Sequence, residues 1–182
     1  IKQFLNDGVR LGVHIEYVHN KSWRGENGTS VYTAASKIQE PFVILMGDHL
    51  FEPHVLVRLA RVKLEQKECV LSVDTHFDDF TKVEESTKTM ILGEKITAIG
   101  KELREYNGLD TGMFLCSPYL FSVLEKTIKA KKFFLTDSMR VLAREGKLKV
   151  FNIRDRFWLD IDTHQDLDIA EKQLFDKLVK PG

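Results

Sequence analysis

The residues of this chain best suited to chemistry are carboxylates that follow apolar runs. Phe42-Val43-Ile44-Leu45-Met46 is an uninterrupted apolar stretch of strand length, and Gly47-Asp48-His49 stops it. In open α/β sheets ligands bind outside the carboxyl ends of the strands. A carboxylate at such a rim adds nothing to packing and suits a divalent cation, because Mg²⁺ in phosphoryl-transfer sites takes one or two carboxylates plus substrate phosphates and water. Gly-Asp also ends strands as an Asx turn, and spacing alone weighs the two readings evenly. A second pair of carboxylates, Asp160-Ile161-Asp162, precedes Thr163. Alternation along an extended segment sends both to one side, with Asp160 on the metal and Asp162 orienting ligands or supporting the turn. The competing reading is that both cap the last helix.

Three further segments carry polar groups toward the same rim. Glu26-Asn27-Gly28-Thr29-Ser30 can present backbone N–H groups at a helix start, which favours an anion or a polar ring edge; it also reads as a plain loop with Ser30 as N-cap. Lys101, in Ile99-Gly100-Lys101, follows a short strand and can reach a phosphate, although a solvated lysine is the default. Asp110-Thr111-Gly112 stands at the entry of another strand. His49 beside a rim aspartate can line a pocket. His14, His19, His54, His76 and His164 show no zinc-ligand spacing, and no Ser-His-Asp or Cys-His arrangement is readable. Trp23 and Trp158 read as packing residues, with Trp158 able to fix the Asp160 turn.

These groups need a frame. Residues 1–8 read as the tail of a helix stopped by Gly8, and 13–18 alternate as a half-buried strand should. A loop over 20–29 leads to a helix over 30–38. The 42–46 run is a strand covered on both faces, as in parallel sheets. A helix over 53–66 and a strand over 69–73 complete a strand–helix–strand rhythm. Then come a hairpin of 89–92 with 96–99, a strand at 111–117, helices at 118–130 and 135–144, a strand at 148–153 and a closing amphipathic helix at 163–179. Residues 180–182 resemble a linker or an artificial end of the chain. The expectation is one α/β domain with a mixed sheet.

Composition sets the outer limits. The chain has 182 residues, 27 Lys+Arg against 27 Asp+Glu, and 43% hydrophobic residues. The balanced charge argues against a nucleic-acid partner, and the hydrophobic content argues against disorder. No apolar run approaches the roughly 18–20 residues that span a bilayer. Cys69 and Cys116 sit in apolar runs and read as buried reduced thiols suited to a reducing cytosol.

Taken in order, Glu26-Asn27-Gly28-Thr29-Ser30, Met46-Gly47-Asp48-His49, Ile99-Gly100-Lys101, Asp110-Thr111-Gly112-Met113-Phe114 and Trp158-Leu159-Asp160-Ile161-Asp162-Thr163 resemble the nucleotidyltransferases that join a nucleoside triphosphate to a phosphorylated alcohol or sugar. Within that superfamily the chain looks most like the CTP:inositol-1-phosphate cytidylyltransferases, which are often fused to a membrane-embedded synthase. The resemblance implies a Rossmann-like three-layer sandwich with a mixed, mainly parallel sheet over residues 1–182. It makes Asp48 the first Mg²⁺ ligand and Asp160 the second, with Asp162 sharing that role. It places Gly28, Thr29, Ser30 and Asp48 at the nucleotide, and Lys101, Asp110, Thr111 and Gly112 at the phospho-alcohol, with Lys101 also helping to neutralise charge. The reaction implied is cytidylyl transfer from CTP to inositol 1-phosphate with release of pyrophosphate. A cytoplasmic location, or the cytoplasmic face of a membrane where a synthase is fused, goes with it, and a homodimer is compatible with it. The family's opening strand and Gly-rich loop have no counterpart here, so the expectation is a domain whose N-terminal segment is missing from this chain. The rivals are a sugar-1-phosphate nucleotidyltransferase using UTP, dTTP or GTP, a glycosyltransferase with Asp160-Ile161-Asp162 as its metal motif, and a non-catalytic nucleotide-binding module.

Overall fold

The computed structural model describes residues 1–76, 83–154 and 156–179, without the side chains of 174–179; the linker read at 180–182 lies outside them. The elements in chain order are α1 (Lys2–Leu5), a 3₁₀ turn (Val9–Leu11), α2 (Asn27–Thr33), β1 (Phe42–Leu45), β2 (His49–Phe51), α3 (Pro53–Leu59), β3 (Cys69–Asp74), β4 (Lys88–Leu92), β5 (Lys95–Gly100), β6 (Gly108–Cys116), α4 (Tyr119–Lys129), α5 (Leu135–Arg144), β7 (Leu148–Asn152), β8 (Trp158–Asp160) and α6 (His164–Val179). Six strands form one sheet in the order β1-β6-β3-β7-β5-β4, and β2 and β8 form a separate two-stranded ribbon.

β3 is buried along its whole length, its mostly apolar residues together with the polar Ser72 and the closing Asp74, as in a strand covered on both faces. Alternation divides its side chains between two cores. On one face Cys69, Leu71 and Val73 meet Phe114 and Cys116 of β6, under Leu120 and Leu124 of α4 and Leu135, Met139 and Leu142 of α5. The buried positions of α5 recur three and four residues apart, which makes one helical stripe. Val31, Tyr32, Ala35 and Ile38 add the α2 region to this layer. On the other face Val70, Met113 and Leu115 meet Val55 and Leu59 of α3 and Ile153, with Phe51 and Trp158 of the ribbon at the edge. Each fully buried Leu contributes about 1.5–3 kcal/mol relative to exposure. The result is the expected three-layer sandwich.

Mixed is the right word for the sheet, but mainly parallel is not. Among the described residues β3 with β7 is the one parallel pairing, while β1–β6, β3–β6, β4–β5, β4–β6 and β5–β7 are antiparallel. The cause is β6. It starts at the end of β3, with Leu109 opposite Asp74, and runs back between β3 and β1.

Several element boundaries also differ. Residues 14–20 carry no strand; Ile15 is half-buried, while Val13, Tyr17 and Val18 are exposed. Their alternation has no neighbouring strand to pair with among the described residues, and a lone strand leaves its backbone to water. α2 begins at Asn27, three residues before the expected Ser30, and α3 stops at Leu59 instead of reaching residue 66. No helix among the described residues is long and apolar enough to cross a membrane.

Candidate functional site

The chain leaves β1 through Met46-Gly47-Asp48 and pairs β2 at once with β8. The register sets His49 opposite Asp160, Leu50 opposite Leu159 and Phe51 opposite Trp158, and the Ile161 N–H donates to the Asp48 carbonyl at 2.9 Å. This ribbon brings the two sequence-predicted aspartates together. One ligand atom each from Asp48, His49 and Asp160 lie within 4.8 Å of one another. His49 Nδ1 sits 2.9 Å from Asp48 Oδ1 and 3.5 Å from Asp160 Oδ1. The imidazole is nearly buried, at 13% exposed, while the carboxylates are open at 57% and 38%. Two carboxylates at that separation repel by about 1 kcal/mol in water and about 3–4 kcal/mol at an effective dielectric near 20. A divalent cation reverses the sign, so the donor set fits one. Two carboxylate oxygens suit Mg²⁺, and the imidazole adds a ligand that Mn²⁺ also accepts.

His49 is the member whose weight sequence reasoning missed. Its ring stacks on Trp158, with centroids 6.1 Å apart, and rests on the Cα of Gly112: a Cβ there would collide with the His49 ring and come within 3.0 Å of Met46 Cγ. Gly112 has φ +74°, a conformation glycine adopts freely. It lies in a bulge, since β3 and β6 shift register there and Ser72 alone faces residues 111–113. Bulges commonly re-aim chains beside active sites, and this one opens the space in which the imidazole sits.

The other expected residues divide. Asp110 accepts a hydrogen bond from the Gly112 N–H at 2.8 Å. Burial raises its pKa to about 6, against the lowering effects of that N–H and of nearby His49. Asp110 is thus part of the same rim. Thr111 is buried and its hydroxyl donates to the Ser72 carbonyl at 3.0 Å, which gives it a role inside the sheet. Lys101 is an exposed residue just past β5. Its carbonyl accepts from Lys88 Nζ, and Lys88 pairs with Leu109, so the Lys101 turn lies beside the start of β6. That turn is clamped: Arg140 donates from Nε to the Ile99 carbonyl at 2.9 Å and from Nη2 to Glu102 at 2.6 Å.

Gly28 is buried because it packs on backbone: a Cβ there would lie 2.5 Å from the Phe133 carbonyl oxygen. Beside it Asn27 Oδ1 accepts from the Leu135 N–H, tying α2 to the first turn of α5. Thr29 turns its hydroxyl back to the Glu26 carbonyl, and Ser30 accepts from Asn20. Asp162 is outside the three-residue cluster. β8 ends at Asp160, so the alternation that was to align Asp162 with it stops there. The Asp162 N–H instead donates to Asp166, which shares a reciprocal cap with Thr163 at the start of α6.

No protein-family model matches the chain. It is 30% identical over 180 residues to the bifunctional IPC transferase and DIPP synthase of Aquifex aeolicus, covering 99% of this chain and 39% of that protein. It is 32% identical over 164 residues to the protein of the same name from Rubrobacter xylanophilus, covering 90% and 37%. The chain therefore spans about two fifths of the length of these curated relatives. Among solved structures it matches the inositol-1-phosphate CTP transferase from T. maritima with a TM-score of 0.83 and 27% identity, over 99% of this chain and 72% of that one. The fold is that of a nucleotidyltransferase. The matched length includes both rim segments, those of Asp48 and of Asp160.

Proposed function

We propose that this chain is the nucleotidyltransferase part of a CTP:inositol-1-phosphate cytidylyltransferase. The observation that carries the proposal is the β2–β8 ribbon, which joins Asp48 and Asp160 at the rim of a sheet matching an inositol-1-phosphate CTP transferase. In the reaction a phosphate oxygen of inositol 1-phosphate attacks the α-phosphorus of CTP, a new P–O bond forms, and the bond to pyrophosphate breaks. The attacking phosphate is already an anion, so no protein nucleophile is needed, and catalysis is positioning plus charge neutralisation. Mg²⁺ held by Asp48 and Asp160 would supply Lewis-acid stabilisation of the developing charge.

The chain's own residues do the rest. Asp48 and Asp160 bring negative charge to the cation, and His49 holds the Asp48 carboxylate on its inner side. Lys101, on the turn clamped by Arg140, is assigned to the phosphate of the phospho-alcohol. Asp110 is assigned to a hydroxyl of that substrate. Thr29 and Ser30, at the start of α2, are assigned to the nucleotide's base and ribose, and Gly28 shapes that turn by packing on the backbone of residues 133–135. A synthase fused to this part, as the names of the curated relatives indicate for those proteins, would consume the CDP-alcohol.

The test is pyrophosphate release with Mg²⁺ from a matrix of CTP, UTP, dTTP and GTP against inositol 1-phosphate and sugar 1-phosphates. Turnover confined to CTP with inositol 1-phosphate is the expected result, with Asp48→Asn and Asp160→Asn each lowering it at least about 100-fold, the scale of a lost stabilising contact at the reacting centre. Preference for a sugar 1-phosphate with another nucleotide replaces the proposed substrate. Near-normal turnover by either variant removes the two-carboxylate site.

A further inference from the structure

Asp74 is a carboxylate only 6% exposed at the last position of β3, opposite Leu109 and next to the position that faces Asp110. Burying such a group is costly unless hydrogen bonds satisfy it. Its Oδ1 accepts the His76 N–H at 2.8 Å, an Asx turn that keeps the side chain in place. Its Oδ2 accepts the indole N–H of Trp158 at 2.9 Å, from a residue 84 positions later in the chain. Trp158 opens β8, two residues before Asp160, so the indole and the Asp160 carboxylate leave the strand on the same side. The other face of the contact is His49, on which the indole stacks. A strand of three residues has too few ladder bonds to fix its own placement, and side-chain ties to a rigid neighbour must supply the rest. β3, buried throughout, is such a neighbour.

We infer that Asp74 is a positioning residue for the metal-binding carboxylate Asp160, acting through the indole of Trp158. The inference rests on the reading of Asp48 and Asp160 as a cation site. Asp74 touches neither the cation nor the substrates. It fixes the indole, the indole sets both the height of β8 against β2 and the seat of the His49 ring, and the distance between the two aspartates follows. Partners hydrogen-bonded directly to metal ligands change metal affinity about 10–100-fold when removed, and Asp74, one residue further back behind Trp158, belongs at the low end of that range.

The test is Mn²⁺ affinity of the intact protein by calorimetry, for the parent, Asp74→Ala, Trp158→Phe and the double variant, with unfolding midpoints measured in parallel. Expected are a loss of about 10-fold in affinity for Asp74→Ala, a comparable loss for Trp158→Phe, and no further loss when the two are combined. Leu142→Ala, a cavity in the core beneath α5 on the opposite face, should lower the unfolding midpoint and leave Mn²⁺ affinity unchanged. Should Asp74→Ala fail to fold, Trp158→Phe alone decides, because it keeps a ring in place and deletes only the donor and one fused ring. Unchanged affinity in Trp158→Phe overturns the proposal, as do additive losses in the double variant or weakening by Leu142→Ala to the same extent. A parent that binds no Mn²⁺ overturns the cation site itself, and the positioning role with it; a parent that binds and variants that bind equally overturn only the role of Asp74.

Discussion

Gly112→Ala tests whether the bulge in β6 is there for the imidazole. The added methyl meets two separate costs. At φ +74° an alanine backbone carries about 1–2 kcal/mol that glycine does not. Its Cβ would also overlap the His49 ring, with Nε2 at 2.7 Å, and press on Met46 Cγ at 3.0 Å. Forcing a methyl into a filled space costs about 1–3 kcal/mol. Together the loss is about 2–5 kcal/mol, of which the second part falls on the site because the ring must leave its place between Gly112 and Trp158. Gly47→Ala supplies the contrast in the same segment: its Cβ meets nothing within 4 Å and its φ is not positive. That variant should be within about 0.5 kcal/mol of the parent or slightly stabilised through the unfolded chain. Urea unfolding at matched m-values gives both numbers, and a Mn²⁺ titration reads the site. A Gly112→Ala protein as stable as the Gly47→Ala one, with parental cation affinity, would refute the idea that the bulge is shaped around His49.

Three other outcomes follow from particular contacts. Asp110, whose pKa burial raises from 3.8 to about 6, favours the folded state most when protonated, so its contribution is complete below pH 4 and declines as pH rises through 6. Urea titrations from pH 4 to 8 should show the parent losing stability over that window relative to Asp110→Asn; identical slopes would contradict the assignment. Cys69 and Cys116 are cross-strand partners with no exposed surface, and burial pushes the Cys116 thiol well above its ordinary range. Ellman's reagent should leave both thiols unmodified for hours in buffer and titrate both at once in guanidinium. Arg140→Met removes the clamp on the Lys101 turn and should raise the KM for the phospho-alcohol about 10-fold, the worth of a charge-assisted hydrogen bond, while the KM for CTP stays put; equal changes in both would point to general loosening of α5.

Much of this was readable before any coordinates. The apolar runs at β1 and β3 announce strands, but β1 lies at the sheet's edge, half-buried with Leu45 exposed, and only β3 is covered on two faces; Pro118 announces the start of α4. That Asp48 and Asp160 follow apolar runs and meet at one rim was legible, although an Asx turn or a helix cap accounted for each of them equally simply. What escaped has physical causes. β2 and β8 are three residues each, too short to display a period, so the pairing that makes His49 a neighbour of Asp160 left no local signal. Residues 13–18 had the period and no partner, which is the opposite failure. Gly28 looked like a flexible anion loop, yet its lack of a side chain answers to the backbone of residues 133–135, more than a hundred positions away. Asp74 carried a clue of its own: a charge ending a mostly apolar strand, with a tryptophan later in the chain in need of an acceptor.

The β2–β8 ribbon also governs how the site comes into being. With β1 and β7 already held in the sheet, pairing Asp48 with Asp160 closes only the short connections from residue 45 to 48 and from 152 to 160, at an entropic cost of about 2 kcal/mol before any constant term. Three register pairs of backbone are a small return on that cost. A cation bound at 100 times its dissociation constant adds about 2.7 kcal/mol to whichever state has the loop closed. Loading a metal there and docking β8 on β2 are therefore two descriptions of one equilibrium. An ion held by Asp48 and Asp160 would also act as the clasp that keeps β8 against β2.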